Sequence, residues 1–131
     1  MTSTVEVLKT ITVESTVDLN KLSAAIEALA DTERTTTACA AAMTDGGPSM
    51  TTPIRADLDC VDICHATRQV LTRASADATI LRGLLESAIA ACERSAKECG
   101  QHAAHHGHCR LCSEGTRATA DACRALLADL A

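Results

Sequence analysis

Residues 81–99, LRGLLESAIAACERSAKEC, decide the fold. Leu81, Leu85, Ala88, Cys92, Ser95 and Cys99 recur at steps of 4, 3, 4, 3 and 4. That is the spacing of a helix turning one stripe of small and apolar side chains towards a bundle axis. Two of the six are cysteines, so sulfur belongs to the buried stripe.

The flanking sequence supplies the partners of this helix. Its own limits are Asp77 to about Gly100, with Ser75 or Asp77 as cap. A short link around Ala74–Ala76 joins it to a preceding helix over Ile54–Thr72, whose apolar residues are Leu58, Val61, Ile63, Val70 and Leu71. Links this short make neighbours antiparallel. Upstream, TDGGPSMTTP at 44–53 cannot continue a helix. Before it, Leu19, Leu22, Ile26 and Leu29 mark one face of a helix from Val17 to about Met43, capped by Asp18 or Asn20. A last helix runs from Ala104 or His108 to Leu130, with Gly107 as a break near its start. The expected fold is all-α, an antiparallel up-down-up-down four-helix bundle over residues 17–131. Residues 1–16, rich in β-branched side chains, are expected to be an N-terminal extension, either a short strand or a mobile arm.

The chain has 131 residues and no Phe, Trp or Tyr, so its core is built from Ala, Leu, Ile, Val, Met and Cys. A net charge of -5 argues against nucleic acid as a partner. No apolar window approaches the roughly 20 residues needed to cross a bilayer. The N-terminus has neither a basic segment before an apolar one nor a twin-arginine pair, which makes the cytoplasm the expected location. In a reducing compartment, eight cysteines point to metal or redox chemistry rather than to disulfides.

Residues 92–112, CERSAKECGQHAAHHGHCRLC, carry four of those thiols and four imidazoles. Soft sulfur with borderline nitrogen is the donor set of Cu(I), Zn(II) and iron-sulfur clusters. In an antiparallel bundle one end collects Cys39, Cys60, Cys64, Cys99, Cys109 and Cys112, with His102, His105, His106 and His108 in the last connection and His65 as a further candidate. Cys92 lies about 10 Å deeper than Cys99, and Cys123 about 16 Å from Cys112, at 1.5 Å per residue. Any single buried cysteine is also an ordinary small hydrophobe; the set beside a four-histidine connection is not. Met43 and Met50 could add thioether donors. Asp57, Asp59 and Asp62 read as a solvated cap on their helix.

Two segments, IRADLDCVDIC at 54–64 and CERSAKECGQHAAHHGHCRLC, resemble the cysteine-rich four-helix-bundle copper storage proteins, in particular their cytosolic branch. The resemblance implies ligand roles for Cys60, Cys64, Cys92, Cys99, Cys109, Cys112 and Cys123, with the histidines at the open end where copper enters. The chain departs from that family's cysteine ladder at Thr32, Thr35, Pro53, Leu85, Ala88, Ser95, Thr116 and Thr119, which implies a shortened store.

The expected function is Cu(I) binding, one or a few ions on thiolates at the histidine-rich end, for storage, buffering or delivery with a copper donor or acceptor. Two other readings stay open. A [4Fe-4S] cluster on four thiolates such as Cys60, Cys64, Cys99 and Cys109 would serve a redox partner. Alternatively, a metal-dependent enzyme would use the same open end on a small molecule. Zinc at Cys109 and Cys112 is a further option. The sequence holds no glycine-rich phosphate loop, no HExxH and no Ser/His/Asp arrangement.

Overall fold

A computed structural model of the chain describes residues 1–11 and 17–130. Its helices are α1 (Thr4–Lys9), α2 (Leu19–Met43), α3 (Thr51–Thr72), α4 (Ala78–Gly100) and α5 (Gly107–Ala128), with one 3-10 turn at Pro48–Met50. The last four form the bundle: α2 packs on α3 and α5, and α4 packs on the same two, so each helix has two neighbours and one diagonal.

The caps are those that the chain chemistry favours. Asp18 accepts from the backbone N–H of Asn20 at 2.7 Å and of Lys21 at 3.2 Å. Asp77 accepts from that of Ile80 at 3.1 Å. Both satisfy N–H groups that have no partner within the helix. Between α3 and α4, Ala74 turns the chain with a φ of 54°, a left-handed conformation that closes the short connection.

Three expectations change. The N-terminal segment is neither strand nor arm as far as residue 11. Ser3 accepts from Glu6 N–H at 3.2 Å while Glu6 accepts from Ser3 N–H at 3.1 Å, and this reciprocal capping box starts a helix despite the β-branched residues. Leu8 of that helix is fully buried, and α1 lies on α2. The part of the extension over residues 12–16 lies outside the described residues.

Second, α3 begins at Thr51, three residues before the expected start. Pro53 falls in its first turn, where a missing N–H costs nothing.

Third, Leu58 is 50% exposed, and the inward face of α3 is Ala56, Asp57, Cys60, Cys64, Thr67 and Leu71. The helical period selects this face, whereas hydropathy alone favours Leu58.

The lower core is aliphatic: Leu22, Ile26, Leu29, Leu71, Leu81, Leu85 and Leu126 form one cluster with Cys60, Cys64, Cys92 and Cys123. A separate cluster at the other end comprises Cys39, Met43, Cys99, Cys109 and Cys112, with Met50 and Ile54 against it. Leu29→Ala is expected to cost about 2–5 kcal/mol, as buried leucine truncations do, and Leu58→Ser less than about 0.5 kcal/mol. Urea denaturation followed by helical circular dichroism checks both.

Candidate metal centre

All eight cysteines are buried and none is disulfide-bonded. The helix seams bring seven of them into groups whose donor atoms lie within 4.8 Å of one another: Cys39 with Asp57, Cys99 and Cys112; Cys39 with His108 and Cys109; and Cys60 with Cys64 and Cys92. The first two share Cys39 and make one mouth site. The third is separate.

At the mouth, Cys39 Sγ stands 3.8 Å from Cys99 Sγ, 3.9 Å from Cys109 Sγ and 3.3 Å from His108 Nδ1. His108 Nδ1 is also 3.4 Å from Cys109 Sγ. The geometry follows from local sequence: α5 starts at Gly107, so His108 and Cys109 occupy its first turn and Cys112 the next, facing the last turns of α2 and α4. His108 and His102 are half-buried, whereas His105 and His106 are exposed. Of the four histidines, His108 alone belongs to a donor group among the described residues. His65 lies on the outer surface, where it and Arg68 pair with Glu33, and is no part of the mouth.

Asp57 corrects the reading of a solvated cap. It is fully buried, accepts from Ser95 Oγ at 2.8 Å and Cys99 Sγ at 3.2 Å, and has Cys112 Sγ 3.7 Å away. Its other oxygen, Oδ2, has no hydrogen-bond partner. A buried carboxylate with a free oxygen among thiols is what a cation would complete. The signal was present in the spacing: Asp57, Cys60 and Cys64 step by 3 and 4 along one seam.

The early start of α3 also explains why Cys60 and Cys64 are not at the mouth. Asp57 takes the level of Cys99 and Cys112, and the two cysteines lie about 5 and 10 Å deeper, at 1.5 Å per residue. They meet Cys92 there. Cys60 to Cys64 is 3.8 Å, Cys60 to Cys92 is 3.8 Å and Cys64 to Cys92 is 3.7 Å. The quartet Cys60, Cys64, Cys99 and Cys109, offered for an iron-sulfur cluster, is split between the two sites. Cys123 joins neither group and packs in the aliphatic cluster.

Between the sites lies a polar layer. Asp57 and Ser95 bond each other, Cys112 Sγ is 3.6 Å from Ser95 Oγ and 3.8 Å from Thr36 Oγ1, and Thr116 donates to the Cys112 carbonyl at 2.8 Å. Thr36 rather than Thr35 faces inward; Thr35 is half-buried and bonds the Asp31 carbonyl. Deeper, Thr32 and Thr119 pair at 2.7 Å, and Thr119 donates to the Ala28 carbonyl at 3.0 Å.

Proximity of thiols sets the electrostatics. Hydrogen bonds from Cys60 and Cys92 lower Cys64 to about 5, and those from Cys39 and Cys99 lower Cys112, while Cys60, Cys92, Cys39 and Cys99 rise as donors. Each site therefore favours ionisation of one sulfur over its neighbours, and a soft cation would displace the remaining protons. Cys123, without a thiol partner, is pushed up to about 12 by burial. Burial, then the charge of Cys112, raises Asp57 to about 7 against hydrogen bonds from Ser95 and Cys99.

The comparisons bear on this thiolate-lined bundle. The profile of the family described as copper storage protein matches residues 18–128. The chain belongs to that family. A structure of a copper storage protein, Ccsp, from Streptomyces lividans, loaded with 10 copper equivalents, is 35% identical, with a TM-score of 0.91 over 98% of this chain and 100% of its own. A second, of a cytosolic copper storage protein from Streptomyces lividans with five coppers, is 37% identical, with a TM-score of 0.78 over 83% of this chain and 93% of its own. A search of curated proteins finds no match. Among the described residues, no helix of this copper storage family member is long and apolar enough to cross a membrane.

Asp57 gives the metal-free protein one distinct pH dependence. Its folded value lies above the ordinary 3.8, so the folded state binds a proton that the unfolded state releases. Its contribution is full below about pH 4, declines as pH rises to about 7, and is level above. The stability of the wild type is expected to fall relative to Asp57→Asn across that window. Urea midpoints of both proteins at pH 4 to 8 check this; parallel curves would show that Asp57 is not held protonated.

Proposed function

We propose that the protein stores Cu(I) in the cytosol, on thiolates arranged as a mouth site and a deeper site along one bundle. The observation that carries the reading is the mouth itself: four buried sulfurs, a half-buried imidazole and a carboxylate with a free oxygen converge where four helices end. Thiolate and imidazole are donors that suit Cu(I), and thiolates shared between neighbouring ions build clusters. The copper-loaded relatives support copper over the other thiophilic metals.

Capacity follows from charge. One cuprous ion per thiolate leaves a neutral assembly in the low-dielectric interior, so eight thiols set the ceiling. The ligands are Cys39, Cys99, Cys109, Cys112 and His108 at the mouth and Cys60, Cys64 and Cys92 below, with Cys123 beyond them. His102, His105 and His106 gather ions at the opening, and a copper donor or acceptor docks there. The metal-binding unit is the bundle from residue 17 onward, to which residues 1–16 are an extension.

Anaerobic titration of the reduced apo protein with Cu(I) against a chromophoric chelator tests this. Uptake is expected to saturate at or below eight ions per chain, with a thiolate-to-copper band in an ultraviolet region free of tyrosine and tryptophan. Combining Cys39→Ala with Cys112→Ala is expected to abolish the mouth class and leave the deeper one. Failure to outcompete the chelator, or uniform loss of every ion in that variant, would overturn the reading. His108→Ala is expected to weaken the mouth class about tenfold, by roughly 1.4 kcal/mol, and leave the deeper ions unchanged, which the same competition measures.

A further inference from the structure

The deeper triad differs chemically from the mouth. Cys60, Cys64 and Cys92 form a nearly equilateral triangle of sulfurs with sides of 3.8, 3.8 and 3.7 Å. All three are fully buried in the aliphatic cluster that includes Leu29, Leu85 and Ala88. Among the described residues, no carboxylate or imidazole joins this donor group. Thr32 and Thr119 bond to each other, and Thr119 also donates to the Ala28 carbonyl.

Charge and shape then narrow what a single centre here can be. Three thiolates around one monovalent copper leave two negative charges in an apolar cluster, which burial opposes. Around one trivalent centre they leave none. The middle of a triangle this size is about 2.2 Å from each sulfur, close to the roughly 2.3 Å of a zinc–thiolate bond. A three-coordinate pyramidal atom with bonds of that length sits just off the plane and needs no fourth donor.

We propose that Cys60, Cys64 and Cys92 form a binding site for a trivalent metalloid, with arsenite as its probe. The three cysteines condense with one As(OH)3: three As–O bonds break, three As–S bonds form, and each hydroxyl leaves as water with a proton taken from its thiol or, where that sulfur is already ionised, from solvent. No electron is transferred, and the product is neutral. Arsenous acid is itself uncharged, so Asp57 of the mouth group does not repel it. The mouth, by contrast, places a carboxylate and an imidazole beside its sulfurs, an arrangement suited to a cation. The proposal does not rest on copper storage, and its test uses no copper.

The experiment is native mass spectrometry of the reduced, metal-free full chain incubated anaerobically with arsenite. The expected adduct is one arsenic per chain with the loss of three hydrogens. It should persist in Cys39→Ala and be lost in both Cys64→Ala and Cys92→Ala, each checked for unchanged helical circular dichroism. Two variants on different helices keep the test open if one misfolds. The proposal is overturned by absence of the adduct from protein whose eight thiols all react with a thiol reagent, by loss of fewer than three hydrogens, by survival of the adduct in Cys64→Ala or Cys92→Ala, or by its loss in Cys39→Ala.

Discussion

A helical bundle without a single aromatic residue has only small side chains to place on its axis, and everything else in this molecule depends on that. With nothing larger than leucine or methionine between them, the helices bring seams of Cys, Ser, Thr and Ala into mutual contact. Sulfur meets sulfur at 3.7–3.9 Å across three pairs of helices or within one. Thiols held at that distance hydrogen-bond one another, which favours ionisation of one sulfur in each group. Packing and chemistry therefore have the same cause.

That close interior also admits hydroxyls beside the sulfurs without disturbing the bundle. Thr32, Thr36, Thr67, Thr116 and Thr119 are all buried, and each hydroxyl has a hydrogen-bond partner. Threonine nearly matches cysteine in bulk, and its hydroxyl can turn back to a carbonyl in the preceding turn. The result is a division of labour along the axis. A mouth of sulfurs, one imidazole and one carboxylate is followed by a layer of hydroxyls, then by a sulfur triad on α3 and α4 facing threonines on α2 and α5.

The bundle was legible because its signals are periodic. The seam from Leu81 to Cys99 is buried at every one of its six positions, and the caps are Asp18 and Asp77, each one of the two candidates that the sequence offers. What escaped was set by single residues. Asp57 passes for a cap while α3 is taken to begin at Ile54; with the start at Thr51 it is a full turn inside, facing Ser95. The same three residues decide whether Cys60 and Cys64 stand at the mouth or one to two turns below it. Ser3 and Glu6 spell a capping box that the surrounding threonines and valines obscure. Element type rests on many residues at once, whereas register along the axis rests on one or two.

The central claim is that metal occupies two separate groups along one axis. Diffraction from crystals of the copper-loaded protein, measured across the copper absorption edge, locates the ions directly. The account predicts anomalous peaks in one group among Cys39, Cys99, Cys109, Cys112 and His108, a second group beside Cys60, Cys64 and Cys92, and none within the Thr36, Ser95 and Thr116 layer. A continuous row of peaks through that layer, or copper held only on the exposed His105 and His106, would contradict it.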